Sequence, residues 1–293
     1  MKPSFALVGC GKVGTALGKF LTKKGYRLTG LSCKNRSSAQ KAARILGTNH
    51  FSTVAWEITK DSDIVFITTP DSVIQETCFN IAQHNGFSKN TVVLHCSGAL
   101  PSTILSSAKT CGAFTGSMHP LQSFADSKTD GNPFAGIVAS VEGEDKAVNT
   151  AREIVKDLGA DFAKIKTESK ILYHAAAVTA SNYLVTLLDL AFKLIEEAGI
   201  AKKDAFKILK PLVEGTLDNI EKVGIPAALT GPIARGDIET ITRHLDEIGS
   251  KKPELLSLYR TLGLHTIDIA LSGKTISEST AKNLEKILLK SVK

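Results

Sequence analysis

The first half of the chain alternates short apolar runs with stretches of helical periodicity. The run Phe5–Val8 precedes a stretch whose apolar residues recur at helical spacing over 13–21, and residues 63–70 form a second strand pattern before a helical pattern over 71–84. Further strands are predicted in the segments NTVVLHCSG, AFTGSMHPLQSF, GIVASVEG and ADFAKI. This alternation continues to about residue 166 and predicts a mostly parallel sheet with helices on both faces.

Beyond residue 168 the strand patterns stop. A long apolar helix is predicted over 169–200, and a second helical stretch over 202–224 contains Pro211, which should kink or restart it. A loop over 225–237 precedes three more helical segments. We therefore expect an α/β domain over residues 1–167 and an all-α C-terminal domain over 168–293. No apolar stretch approaches the ~20 residues of a membrane span, so no membrane partner is expected.

Three glycines follow the first apolar run at the spacing GxGxxG: Gly9, Gly11 and Gly14. The first permits a tight turn, the second lets a phosphate approach the backbone, and the third lets the next helix pack on the strand. Free N–H groups at the start of that helix would face the anion, with Lys12 and Val13 in the same loop. Because the glycines lie between a strand and a helix, they predict a dinucleotide-binding domain with a doubly wound sheet of the Rossmann type. The alternative is a turn used only for packing.

A basic and polar cluster lies where the second strand should end. An NAD site carries an acidic residue there, about 20 residues after the glycines, but this chain has Lys34, Asn35, Arg36 and Ser37. Residues 1–56 hold ten Lys or Arg and no Asp or Glu, in a chain whose net charge is +7. A guanidinium with amide and hydroxyl neighbours suits a 2′-phosphate. The cluster therefore predicts NADP as the cofactor, although a solvated basic face would have the same composition.

Composition limits the class of protein further. The 293 residues are 43% hydrophobic and 22% charged, which is ordinary for a soluble globular protein. The positive charge is confined to the predicted cofactor segment, and no nucleic-acid-binding motif accompanies it, so no nucleic-acid partner is expected. Five cysteines occur without a CxxC pair or a metal-like spacing. We expect reduced thiols, no metal site and a cytoplasmic location.

Polar residues follow several of the predicted strands, and ligands of open parallel sheets bind at the carboxyl ends of the strands. Thr69 and Pro70 should lie along the cofactor toward its nicotinamide. Ser97 and His119 should lie near the substrate. His95 has apolar surroundings, so we expect it to be a histidine of the core.

The long helix carries a polar stripe. Lys170, His174 and Ser181 are spaced by four and seven residues, with Asn182 beside them. Buried polar groups are costly unless they are paired, so these side chains either pair with another surface or line a cleft. If they line a cleft, His174 or Lys170 is the general acid or base, Asn182 is a third catalytic residue and Ser181 binds substrate.

The segment LTGPIARGD forms a turn in which Asp237 should cap the next helix. Arg235 in this turn suits a carboxylate or phosphate of the substrate, although a solvated loop arginine fits the sequence equally well.

The segments VGCGKVGTALG, HCSGAL, GSMHPLQSF, YHAAAVTASNYL and LTGPIARGD together resemble a known family. Its members are Rossmann-like proteins with a C-terminal helical domain of unknown function, often given the provisional label of NADP oxidoreductases. The chain is more distantly similar to the 6-phosphogluconate dehydrogenase-like superfamily, which includes 3-hydroxyisobutyrate dehydrogenase, ketopantoate reductase, prephenate dehydrogenase and pyrroline-5-carboxylate reductase. The resemblance implies a hydride-transfer enzyme that is dimeric through its helical domain.

The resemblance also implies roles on the long helix. Hydroxyacid dehydrogenases of the superfamily use a Lys at its start and an Asn one turn later, and this chain offers Lys170 but His174. Prephenate dehydrogenases carry a Ser-His pair where Ser181 and Asn182 stand here. These departures leave the substrate open.

We therefore predict an NADP(H)-dependent oxidoreductase, assembled as a homodimer, that acts on a small polar substrate carrying a carboxylate. One alternative is a reductase of imines such as pyrroline carboxylates, which needs no strong general acid. Another is a non-catalytic protein that senses NADP, and a deazaflavin is not excluded as the electron partner.

Overall fold

The computed structural model describes residues 2–124 and 131–290 of the chain. The strands are β1 Ser4–Val8, β2 Arg27–Ser32, β3 Phe51–Ser52, β4 Ile64–Ile67, β5 Val92–His95, β6 Phe114–Pro120, β7 Val138–Gly143 and β8 Asp161–Lys164. The helices are α1 Lys12–Lys23, α2 Arg36–Leu46, α3 Trp56–Thr59, α4 Asp71–Gln83, α5 Ser106–Thr110, α6 Asp145–Leu158, α7 Lys170–Glu197, α8 Lys202–Val223, α9 Ile225–Ala228, α10 Ile238–Lys251, α11 Pro253–Ser272 and α12 Glu278–Leu289.

The strands form one sheet in the order β3-β2-β1-β4-β5-β6-β7-β8. Neighbouring strands are parallel except β6 and β7, which are antiparallel. The strand order reverses between β1 and β4, and such a switch point opens a crevice at the carboxyl ends of the strands. The doubly wound, mostly parallel sheet predicted from the sequence is confirmed.

Both faces of the sheet are covered, as the apolar strands require. Phe5 and Leu7 of β1 point into the core beneath α1, α2 and α6, whereas Ala6 and Val8 point into the core beneath α4 and α5. Successive strand residues point to opposite faces, so a strand that is apolar throughout must be buried on both. This packing fixes the positions of the strand ends that carry the polar residues.

The chain divides into two compact units, Met1–Ala180 and Ser181–Lys293. The described part of the second unit is helical, and a hydrophobic core around Ile241, Ile267 and Leu284 holds α10, α11 and α12 together. Asp237 caps α10 as expected, since its side chain accepts the Thr240 N–H at 3.0 Å. The domain boundary expected at 167/168 remains a prediction.

Two details of the helical part differ from the sequence expectations. Helix α8 does not restart at Pro211 but continues through it, because proline removes one backbone donor in a helix that has more than two turns on either side. A kink at Pro211 stays a prediction. The segment Thr167–Glu197 is long and apolar enough to cross a membrane, since its most apolar 18-residue window has a mean hydropathy of 1.4, and only 6% of that window is buried. This corrects the expectation that no segment is apolar enough, which considered only uninterrupted runs. Length and composition alone do not place a helix in a membrane.

Candidate active site

The glycine turn has the geometry of a dinucleotide site. Gly9 adopts φ +91°, and a Cβ there would come within 2.7 Å of the Thr69 backbone nitrogen. A Cβ on Gly14 would meet the Gly9 carbonyl at 2.3 Å, so only glycine lets α1 approach the turn. A Cβ on Gly11 would have no atom of the described residues within 4 Å. Gly9 and Gly14 are thus required by packing, while the backbone at Gly11 is open to a ligand.

The end of β4 borders this turn. The Thr68 hydroxyl donates to the Gly9 carbonyl, and the Thr68 N–H donates to the Val8 carbonyl at 2.8 Å. The next hydroxyl, Thr69 Oγ1, is buried and has no hydrogen-bond partner among the described residues. Pro70 then precedes α4 in extended conformation. An unpaired buried hydroxyl beside an open turn fits a cofactor that would complete its hydrogen bonding.

The basic cluster lies at the start of α2, immediately after β2. Lys34, Asn35, Arg36 and Ser37 are exposed, and α1 and α2 both lack an acidic residue in their first turn. The Asn35 side chain caps α2 by accepting the Ser38 N–H at 2.8 Å. Helix N-termini favour anions, so the cluster and the helix both favour a phosphate here. Lys12, the first residue of α1, is also exposed.

Two histidines from different elements meet above Gly98, in the loop after β5. A Cβ on Gly98 would lie 2.6 Å from His174 Nδ1 and 2.8 Å from His119 Nε2. The two rings face each other edge to face with centroids 6.2 Å apart. His174 Nδ1 is buried without a hydrogen-bond partner in the described part of the chain. Only glycine at position 98 therefore lets both rings pack this close to the loop after β5.

His119 is held in its neutral form. Burial lowers its pKa to about 4, and the charges of Lys170 and His174 act in the same direction. Its Nδ1 lies 3.4 Å from the Tyr173 hydroxyl. With Tyr173 as the donor, the neutral ring keeps its proton on Nε2, the nitrogen that faces Gly98.

Lys170 begins α7 and is only 1% exposed. Its Nζ donates to the Ser117 hydroxyl and lies 3.5 Å from Glu142 Oε1. Burial lowers the pKa of Lys170, and the carboxylate of Glu142 opposes that shift. The Glu142 carboxylate in turn accepts the Ser102 N–H at 2.8 Å, the Ser102 hydroxyl at 2.7 Å and the Thr167 hydroxyl at 2.8 Å. This arrangement favours His174 over Lys170 as the group that meets a substrate.

The loop after β5 is ordered by its own polar groups. The Ser97 hydroxyl donates to Asp71 at 2.7 Å and accepts the N–H groups of Ala99 and Leu100 at 3.2 and 3.0 Å. Burial lowers the pKa of His95 to about 3, and its Nδ1 accepts the Ser97 N–H at 3.2 Å. His95 is fully buried, in agreement with its predicted place in the core. Ser97 therefore shapes the loop that holds Gly98.

The first unit brings together His119, His174 and Lys170 among the predicted residues. Ser181 and Asn182 lie on the part of α7 that belongs to the second unit and are exposed there. Arg235 is exposed in the turn before α10. The roles assigned to these three residues remain predictions.

The sequence analysis assigns no role to four residues of the site: Gly98, Ser117, Glu142 and Tyr173. Gly98 could have been found, since it follows a strand end within the segment HCSGAL. Tyr173 adjoins His174 and gave no separate signal. Glu142 and Ser117 contact Lys170 across 28 and 53 residues of chain, a separation that no local pattern can bridge.

Comparisons with known proteins agree with this architecture. A Rossmann-like domain matches residues 2–120, and a domain of unknown function, DUF2520, matches residues 137–266. No curated protein matches the chain. The second match begins within the sheet, since it includes β7 and β8.

Three solved structures illustrate the likeness. A proposed NADP oxidoreductase from Bacteroides fragilis has 22% identity and a TM-score of 0.72, over 91% of this chain and 98% of that one. The protein TM1727 from Thermotoga maritima has 26% identity and a TM-score of 0.72, over 92% and 99%. Pyrroline carboxylate reductase from Plasmodium falciparum, solved with NADP bound, has 11% identity and a TM-score of 0.56, over 97% and 98%. The chain therefore combines a Rossmann-like domain with a DUF2520 domain.

Proposed function

We propose that this protein is an NADP(H)-dependent oxidoreductase that transfers hydride to or from a small polar substrate carrying a carboxylate. One observation carries the proposal. A glycine turn open at Gly11 and two histidines above Gly98 lie at the carboxyl edge of the same parallel sheet. Such an edge, at a switch point in strand order, is where α/β proteins bind nucleotides and substrates.

The chain's own residues supply binding and proton transfer. Gly9, Gly11 and Gly14 with the start of α1 would hold the pyrophosphate, and Thr69 and Pro70 would lie along the cofactor. Arg36, flanked by Asn35 and Ser37, would bind the 2′-phosphate. A bound nicotinamide cofactor would supply or accept the hydride.

His174 is the proposed general acid or base. Its Nδ1 is buried without a partner in the described residues and lies over Gly98, so a substrate oxygen or nitrogen there could exchange a proton with it. Neutral His119 would donate a hydrogen bond from Nε2 to the same atom. Lys170, held by Glu142 and Ser117, would act from the core through its charge rather than by contact.

Three residues of the second unit keep their predicted roles in this proposal. Arg235 would bind the carboxylate, while Ser181 and Asn182 would orient the substrate. We also propose that the enzyme acts in the cytoplasm as a homodimer. The likeness to a pyrroline carboxylate reductase supports an imine as an alternative substrate to a carbonyl or alcohol.

The proposal is tested first by finding a substrate. A thermal-shift screen of carboxylate metabolites with NADP present should reveal a ligand that raises the melting temperature, because binding stabilises the folded state. His174→Ala should then lower turnover by about 10²- to 10⁴-fold without weakening NADPH binding. His265→Ala, an exposed histidine of α11, is the matched control and should leave both unchanged. Full activity of His174→Ala would show that another group transfers the proton, and it would favour the alternative of an imine reductase.

A further inference from the structure

Two cysteines lie side by side at the glycine turn. Cys10 is the residue between Gly9 and Gly11, and Cys33 directly follows the last residue of β2. Strands β1 and β2 pair in parallel with Val8 opposite Ser32, and the Gly9 N–H donates to the Ser32 carbonyl at 2.8 Å. The two cysteines therefore leave the sheet together at its carboxyl edge.

Their side chains are in contact. The Cys10 thiol donates to the Cys33 sulfur, which also accepts the Cys10 backbone N–H. Both thiols are free and half-buried, and both touch the same hydrophobic core. The two sulfurs thus already lie within hydrogen-bonding reach of each other.

The contact makes the two thiols chemically unequal. The hydrogen bonds from Cys10 lower the pKa of Cys33 to about 7, while the same contact and burial raise the pKa of Cys10. Burial raises the pKa values of Cys78 and Cys96 to about 12. At neutral pH a substantial fraction of Cys33 is therefore a reactive thiolate, beside a thiol that can attack it after oxidation.

We propose that Cys10 and Cys33 form a reversible redox pair, which hydroperoxides oxidise to a disulfide that prevents dinucleotide binding at the glycine turn. The effect on binding rests on the proposed function, whereas the formation of the disulfide does not.

The chemistry balances with a hydroperoxide as the only oxidant. The Cys33 thiolate attacks the peroxide, the O–O bond breaks, and the departing oxygen takes a proton and leaves as an alcohol or water. The Cys33 sulfenic acid is then attacked by Cys10, whose proton leaves with the hydroxyl group as water when the S–O bond breaks. Two electrons pass from the two sulfurs to the peroxide. A dithiol reverses the reaction by thiol–disulfide exchange.

The disulfide would act on the cofactor site through its position. The Cys10 carbonyl accepts the Thr15 hydroxyl at 3.0 Å, so this residue is part of the turn that opens α1. Cys33 precedes the basic cluster Lys34–Ser37. Drawing the sulfurs to bonding distance pulls the turn toward β2, across the surface that Gly11 leaves open.

The disulfide itself is measured without any cofactor. The reduced protein is treated with hydrogen peroxide, the remaining thiols are blocked with N-ethylmaleimide, and the peptides are mapped by mass spectrometry. A Cys10–Cys33 disulfide is expected in wild type and in the control Cys111→Ser. Cys10→Ser should instead accumulate sulfenic acid at Cys33, and Cys33→Ser should yield neither product.

The rate of oxidation should fall as the pH is lowered through about 7, because the thiolate is lost. Absence of the Cys10–Cys33 disulfide would overturn the redox pair.

NADPH titration tests the effect on binding. Oxidised wild type and oxidised Cys111→Ser should bind NADPH at least about tenfold more weakly than their reduced forms, with recovery after dithiothreitol. Peroxide should not change the affinity of Cys33→Ser. A disulfide that leaves NADPH affinity unchanged would overturn the switch. If the reduced protein binds neither NADPH nor NADH, the proposed function is wrong and so is the effect of the disulfide on binding. The peptide mapping still shows whether Cys10 and Cys33 form a disulfide.

Discussion

Glycine is needed at positions 9 and 11 for different physical reasons. Variants at the two positions can separate these reasons. Gly11→Val should leave the melting temperature nearly unchanged, because its Cβ has open space, but should abolish NADPH binding by occupying the place of the pyrophosphate. Gly9→Ala should lower the melting temperature, because it combines φ +91° with a 2.7 Å contact to backbone. Thermal unfolding and NADPH titration of both variants check this. Unchanged NADPH affinity in Gly11→Val would mean that the turn binds no phosphate.

The choice between NADP and NAD depends on Arg36. A charge-assisted contact contributes about 1.5–3 kcal/mol, so Arg36→Ala should weaken NADP(H) by roughly 10- to 150-fold and leave NAD(H) nearly unaffected. Lys41→Ala, an exposed lysine of the same helix, should have little effect on either cofactor. Higher salt should also weaken NADP(H) more than NAD(H), since an exposed charge pair is screened. If Arg36→Ala loses the same factor of affinity for both cofactors, the cluster is a solvated basic face that does not bind the 2′-phosphate.

Residues with a local signal could be predicted from the sequence, and residues defined by distant partners could not. The spacing of Gly9, Gly11 and Gly14 between a strand and a helix predicts their roles, and the packing at Gly9 and Gly14 agrees with it. The role of Gly11 in binding stays a prediction. Glu142 lies in an apolar strand pattern, and its buried carboxylate is stabilised by Lys170 and Ser102, which are distant from it in the sequence. The polar stripe on α7 predicts side chains that need partners or line a cleft, and Lys170 has its partners inside the first unit, whereas Ser181 and Asn182 are exposed. The sequence could not distinguish these cases.

At the level of elements, β5 and β6 each carry a histidine that the fold keeps neutral. The pKa values of His95 and His119 are lowered to about 3 and about 4 by burial, from 6.5. Between these values and 6.5 the unfolded chain binds more protons than the folded one, so stability is complete above pH 6.5 and falls as the pH is lowered. Each unit of pKa difference corresponds to about 1.4 kcal/mol.

Chemical denaturation between pH 7 and pH 4 measures this loss. His95→Gln should be less stable than wild type at pH 7 yet lose less stability on acidification, because one proton-binding difference is gone. His265→Gln, exposed on α11, should keep the wild-type acid dependence. If His95→Gln loses as much stability between pH 7 and pH 4 as wild type does, groups other than His95 cause the acid dependence.

The periodicity of the sequence predicts whether a segment is a helix or a strand. Whether a helix continues past a proline depends on the turns around it. The α/β alternation and the three helices after residue 237 were predicted, and the structure contains them. The helix does not restart at Pro211, since propensity counts the lost hydrogen bond but not the turns that support the helix on both sides. The alternative, a kink at Pro211, stays a prediction.

At the scale of the whole molecule, the exposed apolar side chains of α7 and α8 support the proposed homodimer. Val185 and Leu212 are 67% and 68% exposed, and a groove of about 480 Å³ between α8, α9 and α11 is lined mostly by apolar residues. Apolar surface of this extent marks interaction sites, and a stable interface buries about 1,600 Å².

We expect light scattering at micromolar concentration to give twice the chain mass of 31.2 kDa. Val185→Glu and Leu212→Glu should shift the protein toward the monomer, because a charge would be buried in the interface. Ile45→Glu, at a residue 52% exposed on α2, is the matched control and should not. A wild-type mass of one chain would contradict the homodimer.

The buried contact of Lys170 with Glu142 and Ser117 also restricts how such a protein can evolve. Ser117 lies in the region matched by the Rossmann-like domain, whereas Glu142 and Lys170 lie in the region matched by DUF2520. Breaking a buried ion pair by replacing one partner costs about 3–5 kcal/mol, which is a large part of the stability of an ordinary domain. A Rossmann-like region recruited from an unrelated ancestor would leave Lys170 without its hydroxyl acceptor and Glu142 without the Ser102 donors. The two regions should therefore be inherited together, and substitutions at these positions should accumulate in pairs.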